Sequence, residues 1–232
     1  MNLMKNLCVI PARGGSKRIP RKNIKPFMGK PIVAYSIDAA LRSGLFEEVM
    51  VSTDDEEIAM IAREHGAQVP FMRDAETAND YASTADVILE VLDMYEKRGR
   101  VFDTICCVYS TAPFVTPARL SEAYLKLTGG IDSVFTCVAY SYPVQRGLHI
   151  VDGKIRMLYP EYASSRSQDL EKIYHDAGQF YIARTTSFIA EKTFWGKNTV
   201  GLVLPELEVQ DLDTLADWKL AEMKYELLRE SR

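Results

Sequence analysis

Short apolar runs recur along most of the chain, separated by longer segments that carry one apolar face. Runs of this kind, bounded by Gly, Pro and other turn residues, are typical of strands buried in a parallel sheet. They predict strands at residues 7–10, 49–52, 68–71, 104–109 and 133–138. Parallel strands need crossover connections, so the segments between these runs should be helical.

The segments between the predicted strands have the apolar spacing of helices and carry residues that favour helix ends. Helices are predicted from Pro31 to near Gly44, from the caps Asp54 and Asp55 to residue 66, after the cap Ser83 over 84–97, and over 117–127. This alternation indicates an α/β fold: a three-layer, doubly wound and mostly parallel sheet with helices on both faces. Ligands of such sheets bind at the carboxyl ends of the strands.

Residues 139–178 interrupt the alternation. They are rich in Tyr and Pro and include a polar run at residues 164–169, after which regular structure resumes near residues 178–183. A connection of about forty residues is longer than ordinary loops and is usually functional. Because Tyr and Arg are favoured at interfaces, the segment is either a solvated surface excursion or an oligomerisation arm. We expect one domain, residues 1–232, with 139–178 inserted in it.

Composition excludes several classes of protein. Of the 232 residues, 47% are hydrophobic and 26% are charged, as in a globular domain and not in a disordered chain. No apolar run approaches the roughly 20 residues of a membrane-spanning helix, and the start of the chain is a poor secretory signal. The four cysteines lie in apolar runs without metal-ligand spacing. We therefore expect reduced, buried thiols in a cytoplasmic protein that does not associate with membranes.

Charge is distributed unevenly along the chain. The net charge is −4, yet the first 30 residues contain eight Lys and Arg and no Asp or Glu, which leaves 20 cations against 32 anions in the remainder. An acidic protein of this kind is not expected to coat nucleic acid with its whole surface. A localised anion site near the start of the chain is the better interpretation.

The loop IPARGGSKRIPRKN, residues 10–23, follows the first predicted strand and carries most of these cations. Gly14 and Gly15 let the backbone bend so that N–H groups can converge on phosphate oxygens. Arg13 adds a forked donor and Lys17 a mobile charge. Adjacent glycines and the order Gly-Ser-Lys differ from a Walker A loop, and the dinucleotide pattern G-x-G-x-x-G is absent. The loop is interpreted as a phosphate site, with a solvated basic loop as the alternative.

Two carboxylates near the other end of the chain, Asp211 and Asp213, are separated by one residue. In an extended segment their side chains share a face, which suits two oxygen ligands of one hard divalent cation. Asp213 could instead cap a helix that begins at Thr214. Together with a basic phosphate loop, the pair fits transfer to or from a nucleoside triphosphate with Mg²⁺.

The loop IPARGGSKRIPRKN resembles the N-terminal motif of the bacterial CMP-sialic acid synthetases, the cytidylyltransferases that activate nine-carbon ulosonic acids. The similarity continues at residues 51–54, 73–84, 177–181 and 211–214, and so extends over nearly the whole chain. The resemblance implies a nucleotidyltransferase fold, CTP and a ulosonic acid as substrates, and Mg²⁺ as cofactor. It also implies a homodimer, with residues 139–178 as the dimerisation arm.

The resemblance assigns the nucleotide site residue by residue. Arg13 and Lys17 would contact the CTP phosphates and serve catalysis together with Asp211 and Asp213, which would hold Mg²⁺. The residues implied to shape the phosphate loop or contact the cytidine are Gly14, Gly15, Ser16, Asn23, Arg73 and Ser83. The implied reaction is in-line attack by the sugar's anomeric hydroxyl on the α-phosphorus, and no general base can be named.

The sugar site is assigned in the same way. The residues implied to line it are Tyr109, Gln179, Tyr181, Phe194 and Trp195, and Arg166 would reach the neighbouring subunit's site. Phe194 and Trp195 could instead be ordinary core aromatics, and Arg166 a surface cation. In sialic acid synthetases a glutamine faces the sugar where this chain has Tyr109, and Asn-Gly is usual where it has Ala177-Gly178.

At these positions, and in the pattern HDAGQFY, the sequence is most similar to the pseudaminic acid cytidylyltransferases. The product of those enzymes is used in flagellin glycosylation. A CMP-N-acetylneuraminate or CMP-legionaminate synthetase would share the reaction and differ in the sugar pocket. A nucleotide-sugar glycosyltransferase would use Asp-x-Asp but is not expected to begin with this loop. A non-catalytic nucleotide-binding module is the alternative from another class.

Overall fold

The computed structural model of the chain describes residues 5–230. Its first half contains β1 (Asn6–Pro11), β2 (Pro26–Phe27), β3 (Lys30–Pro31), α1 (Val33–Ser43), β4 (Glu48–Ser52), α2 (Glu56–Glu64), α3 (Ala75–Ala78), α4 (Thr84–Glu96), β5 (Thr104–Val108) and α5 (Pro117–Lys126). The second half contains β6 (Ser133–Ala139), β7 (Leu148–Val151), β8 (Lys154–Met157), β9 (Tyr174–Arg184), α6 (Thr185–Glu191), β10 (Thr199–Val203) and α7 (Leu215–Glu230).

The central sheet has the strand order β10-β6-β9-β5-β1-β4. Parallel pairing joins β1 to β4 and β5, and β6 to β10, whereas β9 is antiparallel to both of its neighbours. All strands of this sheet except β9 therefore end at the same edge, and β9 begins there. The predicted mostly parallel sheet is confirmed.

Helices cover both faces of the sheet because alternate strand residues point to opposite sides. On one face, α1, α2 and α5 pack against a layer that includes Cys8 and Ile10 of β1. On the other face, α4 and α6 pack against a layer that includes Leu7 and Val9. Successive residues of β1 thus belong to different layers, and the predicted three-layer arrangement is confirmed.

A third apolar cluster joins the two ends of the described chain. Phe27 of β2 and Trp218 of α7 pack edge to face, with 5.7 Å between their ring centroids. Leu212 is buried in the same cluster. Because Leu212 lies between Asp211 and Asp213, this packing brings both carboxylates close to the loop that follows β1.

Local structure differs from the sequence-based prediction at several places. Residues 68–71 do not form a strand: Gln68 makes a single bridge to Met50, and Pro70 lacks the N–H that a longer ladder would need. The first helix begins at Val33 and not at Pro31, because Pro31 pairs with Pro26 in the short β2–β3 ladder. The helix α6 and the strand β10 were not predicted.

The segment predicted as an insertion, residues 139–178, contains the β7–β8 hairpin, which pairs with itself and not with the central sheet. Its last residues already belong to β9, which begins at Tyr174. The register of the hairpin places Leu148 opposite Met157 and Ile150 opposite Ile155. These four residues share one side, called the hairpin face below. Ile150 is 72% exposed and Ile155 is 66% exposed, so the hairpin face is an apolar surface in contact with solvent.

The structure tests what the composition predicted for the cysteines and for membrane-spanning helices. All four cysteines are buried and free, and burial raises the pKa of the Cys107 thiol. The predicted buried, reduced thiols are thus confirmed. Within residues 5–230, none of the helices combines the length and apolar character that crossing a bilayer requires.

Candidate functional site

Loops that follow β1, β4 and β5 meet at the edge where these strands end, and the strand order places β1 between the other two. This is the edge at which α/β sheets bind ligands. The loops after β1 and β5, together with Asp80 and Thr84, line a cleft of about 430 Å³. The predicted nucleotide-site residues in its wall are Arg13, Ser16, Lys17 and Asn23.

Acidic side chains after β4 hold the phosphate loop in place. The Asp54 carboxylate accepts a hydrogen bond from the Gly14 N–H at 2.9 Å. Asp55 caps α2 and binds the guanidinium of Arg21, which holds the pKa of the Asp55 carboxyl below its usual range. A Cβ atom at Gly14 would lie 2.6 Å from an Asp55 oxygen, whereas one at Gly15 would meet open space. Close approach therefore requires glycine at position 14 and not at position 15.

Asp80 lies between the two cations that the resemblance assigns to phosphate. Arg13 Nη1 donates to Asp80 Oδ1 at 2.6 Å and to the Asn79 carbonyl at 3.1 Å, and Lys17 pairs with the other Asp80 oxygen. Hydrogen bonds from Lys17 and Arg13 hold the pKa of Asp80 below its usual range. Asp80 lies within residues 73–84, where the family resemblance continues, but the sequence assigns it no role because the partners of a loop carboxylate are not visible there.

Asn23 and Arg73, both assigned to cytidine by the resemblance, are anchored to neighbouring protein groups. Asn23 Nδ2 donates to the Arg13 carbonyl at 2.7 Å, and its Oδ1 accepts from the Ser110 hydroxyl at 2.8 Å. Arg73 Nε donates to the Ser52 hydroxyl at 2.9 Å, and burial lowers the pKa of its guanidinium. Asn23 lines the cleft, whereas Arg73 is not part of its wall. Contact of either residue with cytidine stays a prediction.

Asp211 and Asp213 lie beside the same cleft. Arg18, which lines the cleft, pairs with Asp213 at 2.5 Å. Lys22 also lines the cleft and donates to the Leu212 carbonyl at 2.9 Å. Burial lowers the pKa of Lys22, while the charges of Asp213 and Asp211 oppose that shift. The structure thus brings the basic loop and the two carboxylates together, although they are about 190 residues apart in the sequence.

The start of α7 decides between the two interpretations of Asp213. The Thr214 hydroxyl accepts from the Asp217 N–H at 3.2 Å, and the Thr214 N–H donates to the Asp217 carboxylate at 2.7 Å. This capping box satisfies the helix end with Thr214, so the Asp213 carboxylate is not the cap.

The donor set at this position fits a hard divalent cation. Asp211 and Asp213 offer carboxylate oxygens, and within residues 5–230 no group of three or more His, Cys, Asp or Glu could enclose a metal. Mg²⁺ is commonly held by one or two carboxylates, with phosphate oxygens and water completing the shell. The pair therefore suits a cation that binds together with a nucleotide.

A second cavity of about 350 Å³ adjoins the cleft. Thr84 and Tyr109 belong to the walls of both, and the Thr84 Oγ1 lies 3.3 Å from the Tyr109 hydroxyl. Ser83, which the resemblance assigns to cytidine, lines this second cavity and caps α4. Two sites that share a wall can hold two molecules that react with each other. The predicted sugar-site residues that line the second cavity are Tyr109, Tyr181, Phe194 and Trp195.

Packed aromatic rings form one wall of the second cavity. The Tyr181 ring centroid lies 5.5 Å from that of Tyr109 and 5.3 Å from that of Phe194. Phe194 is buried and belongs to the core as well as to the wall. Trp195 is 55% exposed and packs against Phe135, with 4.2 Å between ring centroids. The exposed indole gives the cavity an apolar surface open to a ligand.

Asp176 enters the second cavity from the start of β9. Its carboxylate accepts a hydrogen bond from the Gly178 N–H at 2.9 Å and another from the Tyr181 hydroxyl. Burial raises the pKa of Tyr181, so this phenol keeps the proton that it donates. In the sequence Asp176 is only one residue of the pattern HDAGQFY, because the irregular register of β9 against β6 is not visible in that pattern.

Gln179 and Arg166 line neither the cleft nor the second cavity. The buried Gln179 amide donates to the Glu208 carbonyl and so holds the segment that leads to Asp211 against β9. Gln179 thus positions this segment, and its contact with the sugar stays a prediction. Arg166 is 72% exposed and pairs with Asp169 at 2.7 Å, so its contact with a neighbouring subunit stays a prediction.

The chain is similar to known proteins over nearly its whole length. The sequence model of the family described as Cytidylyltransferase matches residues 7–147. The chain is 42% identical over 230 residues to the pseudaminic acid cytidylyltransferase of Campylobacter jejuni subsp. jejuni serotype O:2, covering 98% of this chain and 99% of that protein. It is 35% identical over 237 residues to the CMP-N,N'-diacetyllegionaminic acid synthase of Legionella pneumophila subsp. pneumophila, again covering 98% and 99%.

A solved structure also shares the fold. The CMP:2-keto-3-deoxy-manno-octonic acid synthetase complexed with CTP superposes with a TM-score of 0.67, covering 97% of this chain and 99% of that chain, at 18% identity. At this identity the likeness concerns the fold alone. The matched family model spans more than half of the sequence, and the 42% identical relative aligns along nearly all of it. On these grounds the chain belongs to the cytidylyltransferase family.

Proposed function

We propose that this cytidylyltransferase joins the CMP part of CTP to pseudaminic acid, a nine-carbon ulosonic acid, and releases pyrophosphate. The observation that carries the proposal is the pair of adjoining sites. The basic cleft with Arg13 and Lys17 shares Thr84 and Tyr109 with a cavity walled by aromatic rings. The choice of sugar acid is supported by the 42% identical relative, whose name gives pseudaminic acid.

The reaction is a displacement at the α-phosphorus of CTP. The anomeric oxygen of the sugar acid forms a bond to this phosphorus, the bond to the bridging oxygen of the pyrophosphate breaks, and the proton of the hydroxyl passes to solvent. Negative charge grows on the departing pyrophosphate. Arg13 and Lys17 in the cleft wall can stabilise that charge, so the chain contributes mainly positioning and electrostatic stabilisation.

Binding of CTP has to replace Asp80 as the partner of Arg13 and Lys17. Asp80 holds both cations close together at the cleft. A triphosphate carries more negative charge than one carboxylate and offers more acceptor oxygens, so it competes well for both donors. The exchange frees the loop around Asp80, where Tyr81 is 96% exposed.

We assign a divalent cation, Mg²⁺, to Asp211 and Asp213. The assignment is supported by their hard oxygen donors and by their position beside the cleft, where Arg18 pairs with Asp213. When bound, the cation would neutralise phosphate charge and polarise the α-phosphorus. Arg18 is 68% exposed and can turn from Asp213 toward the phosphates as the cation binds.

We also propose that the protein acts as a homodimer joined through the hairpin face, in the cytoplasm. A two-stranded hairpin is marginally stable by itself, and an exposed apolar surface is typical of an interaction site. The hairpin lies in the same insertion as Arg166, so pairing of two insertions would bring Arg166 near the neighbouring subunit. The free, buried cysteines agree with a reducing compartment.

The test is a parallel assay of pyrophosphate release with CTP, Mg²⁺ and one of three acids: pseudaminic, N,N'-diacetyllegionaminic or N-acetylneuraminic acid. We expect kcat/KM for pseudaminic acid to exceed the other two by about tenfold or more, since a few altered pocket contacts produce differences of that size. A higher kcat/KM with another acid would overturn the choice of sugar. No release with any acid would overturn the proposed reaction itself.

A further inference from the structure

The second cavity contains one anionic and one cationic side chain among the described residues of its wall. Asp176 enters from the start of β9, and Lys192 enters from the end of α6. Lys192 ends α6 in a left-handed conformation, with φ of 53°, so the chain turns there toward Phe194 and Trp195. Apart from Ala85, the remaining wall is aromatic or carries hydroxyl groups. A ligand in this cavity therefore meets charge at two points only.

Two hydrogen bonds from the protein fix the carboxylate of Asp176. One Asp176 oxygen accepts from the Gly178 N–H at 2.9 Å, and the other accepts from the Tyr181 hydroxyl. A carboxylate has about four acceptor positions, so each oxygen can accept one more hydrogen bond. The orientation of Asp176 is thus set before a ligand binds, and it retains capacity toward the cavity that it lines.

The hydroxyl groups of the aromatic wall have partners within the protein. The Tyr181 hydroxyl is used by Asp176, and Tyr181 itself is only 4% exposed. The Tyr109 hydroxyl lies 3.3 Å from the Thr84 Oγ1. Ligand recognition on this side of the cavity therefore depends on the Asp176 carboxylate more than on the phenols that the sequence pointed to.

We propose that Asp176 is a specificity-determining residue that accepts a hydrogen bond from an N–H or O–H substituent of the sugar acid. The inference rests on the proposed function and adds a residue to it. Asp176 repels the carboxylate of the substrate from the β9 side of the cavity, while Lys192 attracts it. A sugar acid is thereby held in one orientation, with a hydrogen-bond donor toward β9.

The test compares Asp176→Asn with Tyr181→Phe in the 232-residue chain, using pseudaminic acid and N-acetylneuraminic acid as probes. Asp176→Asn keeps the size of the side chain and removes its charge. Tyr181→Phe removes one of the two protein partners of Asp176 and leaves the carboxylate and its bond from the Gly178 N–H. Asp93→Asn, whose carboxylate pairs with Lys97 on the surface of α4, is the matched control.

For Asp176→Asn we expect kcat/KM for the preferred sugar acid to fall about tenfold or more, and the ratio between the two acids to shrink, with the KM for CTP unchanged. Tyr181→Phe should have a clearly smaller effect on that ratio. A thermal unfolding measurement on each variant shows whether the variant is still folded. If both variants changed the kcat/KM ratio of the two acids equally, or if Asp176→Asn left it unchanged, the role of Asp176 would be overturned. The proposed function would still stand in that case, because the wild-type protein would be active. A wild-type protein without activity on any acid would overturn the proposed function instead.

Discussion

Lys17 and Arg13 bind the same carboxylate, that of Asp80, at the cleft. Holding two long side chains around one anion limits their motion before a triphosphate arrives, so less ordering remains to be done on binding. The Lys17 side chain is 80% exposed in this arrangement, and water and salt screen its charge. The interaction of Lys17 with phosphate should therefore be strongest in the transition state, when the negative charge on the departing pyrophosphate is growing.

Replacement of Lys17 by alanine tests this view at the residue scale. We expect kcat to fall about 10²-fold, the size of the loss seen when one transition-state donor is removed, with a much smaller rise in the KM for CTP. Steady-state kinetics over a range of CTP concentrations separates the two parameters.

Lys97→Ala is the control for this substitution, because Lys97 is a surface lysine at the C-terminal end of α4 that pairs with Asp93. It should leave both parameters unchanged. An effect of Lys17→Ala confined to KM would mean that Lys17 binds nucleotide without stabilising the leaving group.

Individual residues differ in how far the sequence could predict them. Arg13 and Lys17 follow a strand directly, so the rule that ligands bind at strand ends was enough to locate them. Arg73 and Gln179 gave no such signal, because their partners, Ser52 and the Glu208 carbonyl, are distant in the sequence. Asp176 was missed for another reason, since the irregular register of β9 against β6 is not visible in the sequence pattern.

At the scale of elements, the direction and register of strands were the hardest features to predict. Local apolar patterns do not encode whether a strand is parallel to its neighbours, so the antiparallel course of β9 was not foreseen. That reversal places the start of β9 at the ligand-binding edge of the sheet. The strand predicted at 68–71 was wrong because an apolar run alone does not supply a ladder partner.

The β7–β8 hairpin provides a prediction that belongs to this scale. Ile150→Asp places a carboxylate in the middle of the hairpin face, opposite Ile155. If two copies pair through this face, burying that charge should weaken the dimer about 100-fold or more, because an unpaired charge is costly to desolvate. Sedimentation velocity should show a dimer for the wild-type protein and a monomer for this variant.

His149→Asp is the matched control, since position 149 lies on the opposite side of the same strand, paired with Arg156. This variant should remain a dimer. A dimer in both variants would show that the subunits associate through another surface, and a monomeric wild-type protein would contradict the dimer proposal.

At the scale of the whole molecule, the uneven charge distribution acquires a structural explanation. The basic loop and the acidic segment at residues 211–213 come from opposite ends of the chain, and the cluster around Phe27 and Trp218 packs them side by side. Lys22 contacts the acidic segment directly. The small net charge of −4 is thus the sum of a basic cleft and a more acidic remainder, which includes the two carboxylates beside the cleft. A metal-bound triphosphate needs such an arrangement of cations and carboxylates.

In the proposed reaction this site transfers the cytidylyl group of CTP to a sugar acid. Phosphorus-31 NMR of the reaction mixture identifies the bond that breaks. We expect CMP-sugar and pyrophosphate in equal amounts, formed only when CTP, pseudaminic acid and Mg²⁺ are all present, with the reaction halted by a chelator. Formation of CDP with a phosphorylated sugar, or release of pyrophosphate without any sugar acid, would contradict the claim.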